Sequence, residues 1–180
     1  GRRKSPAQRG EHIGICPVST AAVDTTVGDL PDINVWVALN VPGHIHHAAA
    51  QAYWRDTAHE TLWFCRHSSL GLMRLLCQPA MMGDTALRPE QALAAYQEIR
   101  AQSRIGLLAD PPGLEERWAA LAASSPWPPR MWPDAYLAAL AQTANLRLVS
   151  FDADFARFTG LQWLHLTPGD TPCALHTLPG

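Results

Sequence analysis

Apolar and polar positions change rhythm repeatedly along the middle of this chain. Residues 43–59 carry Ile45, Ala48, Ala49, Ala52 and Tyr53 at helical spacing, and the run Leu62-Trp63-Phe64-Cys65 that follows has the length of a buried strand. Residues 68–77 return to helix, with Leu72, Leu75 and Leu76 on one face. Residues 89–102 open with Pro89 in a first-turn position and place Leu93, Ala94 and Ile99 inward, before 105–109 reads as strand. Two further helices, 114–123 and 134–143, are separated by Ser-Ser-Pro-Trp-Pro-Pro-Arg; 147–151 is the clearest strand and 161–166 a last one. Strands that alternate with helices need crossover connections, so the class is α/β, with a mainly parallel sheet and helices on both faces.

At 180 residues and 47% apolar, the chain can close one substantial core over 29–167. Residues 1–28 mix Gly, Pro, Ser, Thr and charge without periodicity and read as a disordered or non-native arm; 168–180 reads as a loop-like tail. The formal charge of -2 excludes a broad basic surface, so any contact with nucleic acid is local. Cys16, Cys65, Cys77 and Cys173 show neither zinc nor disulfide-framework spacing, which fits a reducing cytoplasm. No apolar run is long enough to span a bilayer, and the basic start leads into no clean hydrophobic region, so export is not expected.

Against that neutral background three aspartates stand out. Asp32, Asp134 and Asp152 each read as sitting where an apolar strand gives way to a turn or helix. In an open α/β sheet the carboxyl ends of parallel strands form one crevice, where acids distant in sequence converge. Crowded carboxylates repel, and a hard cation with oxygen ligands is the usual way to stabilise them. Each acid has a bland reading when taken alone. Asp134 is a helix cap or first-turn charge worth about 1 kcal/mol, while Asp152 with Asp154, and Asp32 with Asn34, are ordinary acidic turns. One shared metal site accounts for all three more economically than three coincidences.

Other polar residues weigh less. His44, His46 and His47 diverge around a helix start and lack a nearby Cys or His partner, so a solvated first turn is favoured over metal ligation. Ser68 and Ser69 beside His67 have no glycine-flanked elbow and read as capping residues. Arg66, Arg74, Arg130 and Arg147 are candidates for phosphate contact through the guanidinium fork. Trp127 and Trp132, in the Pro-rich loop before Asp134, are candidates for stacking an unpaired base or for core or dimer anchoring, with the anchoring reading favoured for Trp132.

Four blocks in order carry a family resemblance: Asp32-Ile-Asn-Val-Trp-Val-Ala-Leu, Leu70-Gly-Leu-Met-Arg-Leu-Leu, Pro133-Asp-Ala-Tyr-Leu-Ala-Ala-Leu-Ala and Leu148-Val-Ser-Phe-Asp-Ala-Asp-Phe. Together they resemble the PIN domain of VapC toxins from type II toxin-antitoxin systems. The resemblance implies a three-layer α/β/α sandwich, a homodimer, inhibition by a cognate antitoxin protein, and Mg²⁺- or Mn²⁺-dependent hydrolysis of RNA by metal-activated water, leaving a 5′-phosphate and a 3′-hydroxyl. By position it implies that Asp32, Asp134 and Asp152 are the catalytic metal-site acids, with Asp154 a further ligand and Asn34, Ser69 and Ser150 in support. Arg66, Arg74 and Arg130 are then the RNA-binding candidates. The chain departs from the pattern in two places. Ser69 stands where many members carry a glutamate, and Gly28 and Pro31 interrupt the first strand, where proline removes a ladder donor. The missing glutamate leaves a second reading, a catalytically impaired PIN-like module that binds RNA or a protein partner without cleavage. A phosphatase built on Asp152-Ala-Asp154 is disfavoured, because that pair lacks the downstream strands and lysine such enzymes use.

Overall fold

A computed structural model of the chain describes residues 27–124 and 126–167. The expected arm, apart from Val27 and Gly28, and the expected tail fall outside these residues, as do Cys16 and Cys173. Five short strands form the middle layer: β1 Asp29–Pro31, β2 Leu62–Phe64, β3 Ile105–Leu107, β4 Arg147–Ser150 and β5 Trp163–His165. Their spatial order is β3-β2-β1-β4-β5, and every pairing is parallel. The helices are α1 Ile33–Asn40, α2 His47–Asp56, α3 Arg66–Leu76, α4 Pro79–Met82, α5 Pro89–Arg100, α6 Leu114–Ser124 and α7 Trp132–Thr143. Three 3-10 turns, Gly83–Thr85, Pro129–Met131 and Ala153–Arg157, complete the described elements.

Alternation along the strands divides the core in two. Leu30 and Leu148 point to one face and pack with α6 and α7, through Leu121, Leu137 and Leu140. Val149, Leu62, Phe64 and Ile105 point to the other and pack with Trp36 of α1, Tyr53 of α2, Leu72 of α3 and Tyr96 of α5. This is the three-layer α/β/α sandwich expected from the sequence.

Pro31 interrupts the ladder on one side of β1 only. Asp29 N–H donates to Thr61 on the β2 side and Asp32 N–H to Val149 on the β4 side, so the alternation puts the absent Pro31 donor toward β2. Accordingly β1 pairs with β2 at a single position, Asp29 with Leu62, yet with β4 at three. Gly28 is needed for close approach, because a Cβ there would lie 2.6 Å from the Thr61 carbonyl oxygen.

Several sequence expectations change in detail. Helix α2 starts at His47 rather than 43, with no side-chain cap; it buries Ala50, Ala52 and Tyr53, and leaves Ile45 86% exposed ahead of it. In α5 the inward stripe is Ala92, Tyr96 and Ile99, an i, i+4, i+7 set that turns Leu93 and Ala94 outward. Helix α1, apolar nearly all round, is buried along Val35–Ala38 and carries no amphipathic signal that periodicity could find. Asp134 does not end a strand: it lies in the first turn of α7, after the Pro129–Met131 turn.

Candidate active site

The sheet order reverses between β1 and β4, since the chain runs from β1 outward to β2 and β3, then returns to β4 beside β1. In open parallel sheets the crevice at such a switch point, beyond the carboxyl ends of the two strands, is where ligands bind. Asp32 follows β1 directly and Asp152 follows β4 by one residue.

Asp32 is the N-cap of α1 and only 9% exposed. Its Oδ1 accepts from Ile33 N–H at 2.6 Å, and its Oδ2 accepts from Asn34 Nδ2 at 2.8 Å and Ser150 Oγ at 2.9 Å. Asn34 Nδ2 also donates to Ser150 Oγ at 3.0 Å, and Asn34 Oδ1 accepts from Phe151 N–H at 3.3 Å. Ser150 Oγ in turn accepts from Asp152 N–H at 2.9 Å. The two strand ends, 118 positions apart for Asp32 and Ser150, are thus locked by one side-chain network with Asp32 at its centre. Asn34 and Ser150, supporting residues by resemblance, are the two groups that hold it.

Asp152 is exposed and caps the Ala153–Arg157 turn, its Oδ1 accepting from Asp154 N–H at 2.8 Å. Asp154 is paired with Arg157 at 3.2 Å and with Arg130 at 3.8 Å. Its charge is therefore largely answered by protein cations, unlike that of the other three acids. Arg157 was not singled out in the sequence, although its position three residues beyond Asp154 in a turn is a readable signal.

Electrostatics brings Asp134 into the same neighbourhood. Burial, then the negative charges of Asp32, Asp152 and Asp154, push the Asp134 carboxyl from 3.8 up to about 6, and Arg130 pulls it back. Burial also carries Asp32 to about 6, with Asp152 adding to the rise while the Ser150 and Ile33 hydrogen bonds oppose it. Among the described residues, no group of three or more His, Cys, Asp or Glu side chains is arranged to hold a metal ion by itself. Mg²⁺ and Mn²⁺ do not demand such a group, because they keep several waters and take one or two carboxylates plus substrate oxygens. The all-oxygen donor set and the repulsion stored in it fit such a cation.

The remaining candidates separate. Ser69 is fully buried and donates to the Arg66 carbonyl oxygen at 2.9 Å, so its hydroxyl is engaged within its own helix. Ser68 caps α3 in a reciprocal pair with Cys65, as the capping reading expected. Arg130 lies beside the acids; Arg66 and Arg74 are exposed on α3. Arg147 is not available to phosphate: its guanidinium makes a two-pronged pair with the fully buried Asp29 at 2.8 and 2.9 Å. Asp29, unremarked in the sequence, also accepts from Tyr53 Oη at 2.7 Å and His59 N–H at 3.0 Å, forming a structural hub at the opposite end of β1. The histidines are packed rather than solvated: a ring nitrogen of His47 sits 2.7 Å from the Ala38 carbonyl oxygen, and His46 stacks on Phe151 at 4.4 Å.

An α/β/α sandwich with acids following β1 and β4 at the switch point defines a class in which this chain has close kin: it belongs to the PIN domain family, whose model matches residues 30–161. It is 40% identical over 139 residues to Ribonuclease VapC41 of Mycobacterium tuberculosis, covering 74% of this chain and 94% of that protein. Ribonuclease VapC33 of the same organism is 26% identical over 136 residues, with the same coverage. Among solved structures, VapC20 of M. tuberculosis, a sarcin-ricin-loop-cleaving toxin, superimposes with a TM-score of 0.55 at 19% identity, over 74% of this chain and 97% of that one. VapBC-1 of nontypeable Haemophilus influenzae gives 0.57 at 16% identity, over 78% and 98%. Both likenesses speak to the fold. No described helix is long and apolar enough to cross a membrane.

Proposed function

We propose that this chain is a divalent-cation-dependent ribonuclease, the toxin of a toxin-antitoxin pair, hydrolysing RNA phosphodiester bonds at the β1/β4 crevice. The observation that carries the reading is the Asp32–Asn34–Ser150 network, which fixes one carboxylate at the switch point with the negative charge of Asp152 beside it. Kinship with Ribonuclease VapC41 supports the activity. Asp32, Asp134 and Asp152 would hold Mg²⁺ or Mn²⁺, with Asp154 assisting; a cation held there would supply positive charge against the phosphate and lower the pKa of a bound water. Asn34 and Ser150 orient Asp32 by filling one of its oxygens, leaving the carboxylate one presentation instead of several. Arg130, 72% exposed and loosely tethered by Asp154, is free to meet a neighbouring RNA phosphate. Arg66 and Arg74 extend the cationic track along α3. The physiological partner is a cognate antitoxin, and the working form a homodimer.

The test is the chemistry of the new ends. Cleavage of an RNA pool with Mn²⁺ leaves 5′-phosphates that ligate directly and 3′-hydroxyls. A 2′,3′-cyclic phosphate would refute the reading, because that product needs the RNA 2′-hydroxyl as nucleophile instead of water.

A further inference from the structure

Trp132 is 48% exposed, one of the few large apolar side chains left open to solvent, and it stands at the first position of α7, two residues before Asp134. Its ring is gripped edge-on rather than face-on. Trp118 meets it at 5.7 Å and 82°, and Trp127 at 5.9 Å and 84°. Trp127 is itself braced by Phe158 at 5.8 Å, and Trp118 by Tyr136 at 5.6 Å. Trp118 and Trp127 stand nearly perpendicular to the Trp132 indole and hold it in place while about half of the residue stays open to solvent. An aromatic meant for a core would be covered, as Trp36 is at 1% exposed and stacked at 3.8 Å on Phe64.

We infer that Trp132 stacks an unpaired base of a single-stranded RNA segment and so sets base preference beside the cleavage site; the inference rests on the ribonuclease reading. Three features favour RNA over a protein occupant. Trp132 lies in the same first helical turn as Asp134, two residues before it. Arg130, two residues earlier, places an exposed guanidinium within reach of a phosphate on the same loop. Aromatic faces flanked by arginine are how single-stranded nucleic acid is commonly held. Trp132 and Asp134 lie two positions apart on α7 and so emerge on nearly opposite sides of its first turn, roughly 10 Å apart across the helix. The stacked base is therefore a flanking one, not the nucleotide whose phosphate is cut.

The experiment compares wild type, Trp132→Ala, Trp132→Tyr and Trp132→Phe on a randomised single-stranded RNA 12-mer pool with Mn²⁺, reading KM, kcat and cleavage positions by sequencing. Trp132→Ala should raise KM roughly five- to hundredfold, the range for losing one base stack. It should leave kcat within about twofold and flatten the base preference at one flanking position. Tyr and Phe should restore most of both. Melting curves and light scattering accompany each variant. The inference is overturned if Trp132→Ala keeps the wild-type KM and preference, or if its defect tracks conversion of a dimer to monomer, which would make Trp132 a protein anchor. Should alanine unsettle the Trp118–Trp127 packing, the Tyr variant decides, because it keeps an aromatic ring in place; an unrestored KM in a Tyr variant that melts like wild type overturns the inference equally. Failure of wild type to cut the pool strikes the ribonuclease reading itself, a result no Trp132 variant can mimic.

Discussion

Replacing Asp134 by asparagine distinguishes a metal-site acid from an ordinary helix-start charge by the sign of a stability change. As a simple first-turn charge on α7, Asp134 would stabilise the helix, and Asn would cost up to about 1 kcal/mol. The crevice gives the opposite expectation. Its carboxyl titrates near 6 instead of 3.8, raised by burial and three neighbouring acids. Two pKa units correspond to about 3 kcal/mol at most; Asp134 is only partly buried, and solvent screening cuts this to roughly 1 kcal/mol. For an acid whose folded pKa is raised, the folded state binds protons more tightly than the unfolded one, so stability grows as pH falls through 6 toward 4. The penalty is complete above 6. In EDTA at pH 7.5, Asp134→Asn should therefore melt about 2–4 °C higher than wild type, and the gap should close by pH 4. RNA cleavage should be abolished and the rise in Tm produced by Mn²⁺ sharply reduced. A variant that melts lower than wild type at pH 7.5 in EDTA, or that still cuts RNA, refutes the reasoning.

Three further expectations rest on the acid site and on the Asp29 hub. Because Asp32 and Asp134 both titrate near 6, protons compete with the cation below that pH, and Mn²⁺ affinity measured by calorimetry should weaken steeply between pH 7 and 5. Ser150→Ala removes the hydrogen bond that lowers the Asp32 pKa, so the acid limb of the cleavage profile should move to higher pH, with a loss of about 1–3 kcal/mol from the Asp152 N–H left without its acceptor. An unmoved acid limb would count against Asp32 as the titrating group. Arg147→Met strands the buried Asp29 carboxylate and should cost about 3–5 kcal/mol in urea unfolding without altering kcat for RNA. A loss of cleavage in protein that remains fully folded would instead return Arg147 to the substrate side.

The candidate acids could be named before any coordinates. Asp32 draws notice because a short acidic side chain at a strand end has few uses besides capping and ligation, whereas Asn34 and Ser150 were reached only through the family resemblance. Arg147 shows why such reading fails elsewhere. Nothing in Asn-Leu-Arg-Leu-Val distinguishes an arginine facing RNA from one buried against Asp29, because the partner lies 118 positions away. The inward faces of α2 and α5 were misjudged for a related reason: in alanine-rich helices several stripes are nearly equally apolar, and the neighbouring element chooses among them.

Local chemistry in the chain determined the alternation of strands and helices, the Pro89 start of α5, the cap at Asp32 and the presence of unpaired acids, since each depends on residues within one or two turns. Only the tertiary structure decided that β1 lies beside β4, that Arg147 belongs to Asp29, that Asp154 is shared by Arg130 and Arg157, and that Trp132 stays half open between two indoles. Those outcomes depend on the sheet order and on which side chains meet across it, and such contacts are set by global packing over distances no local pattern encodes.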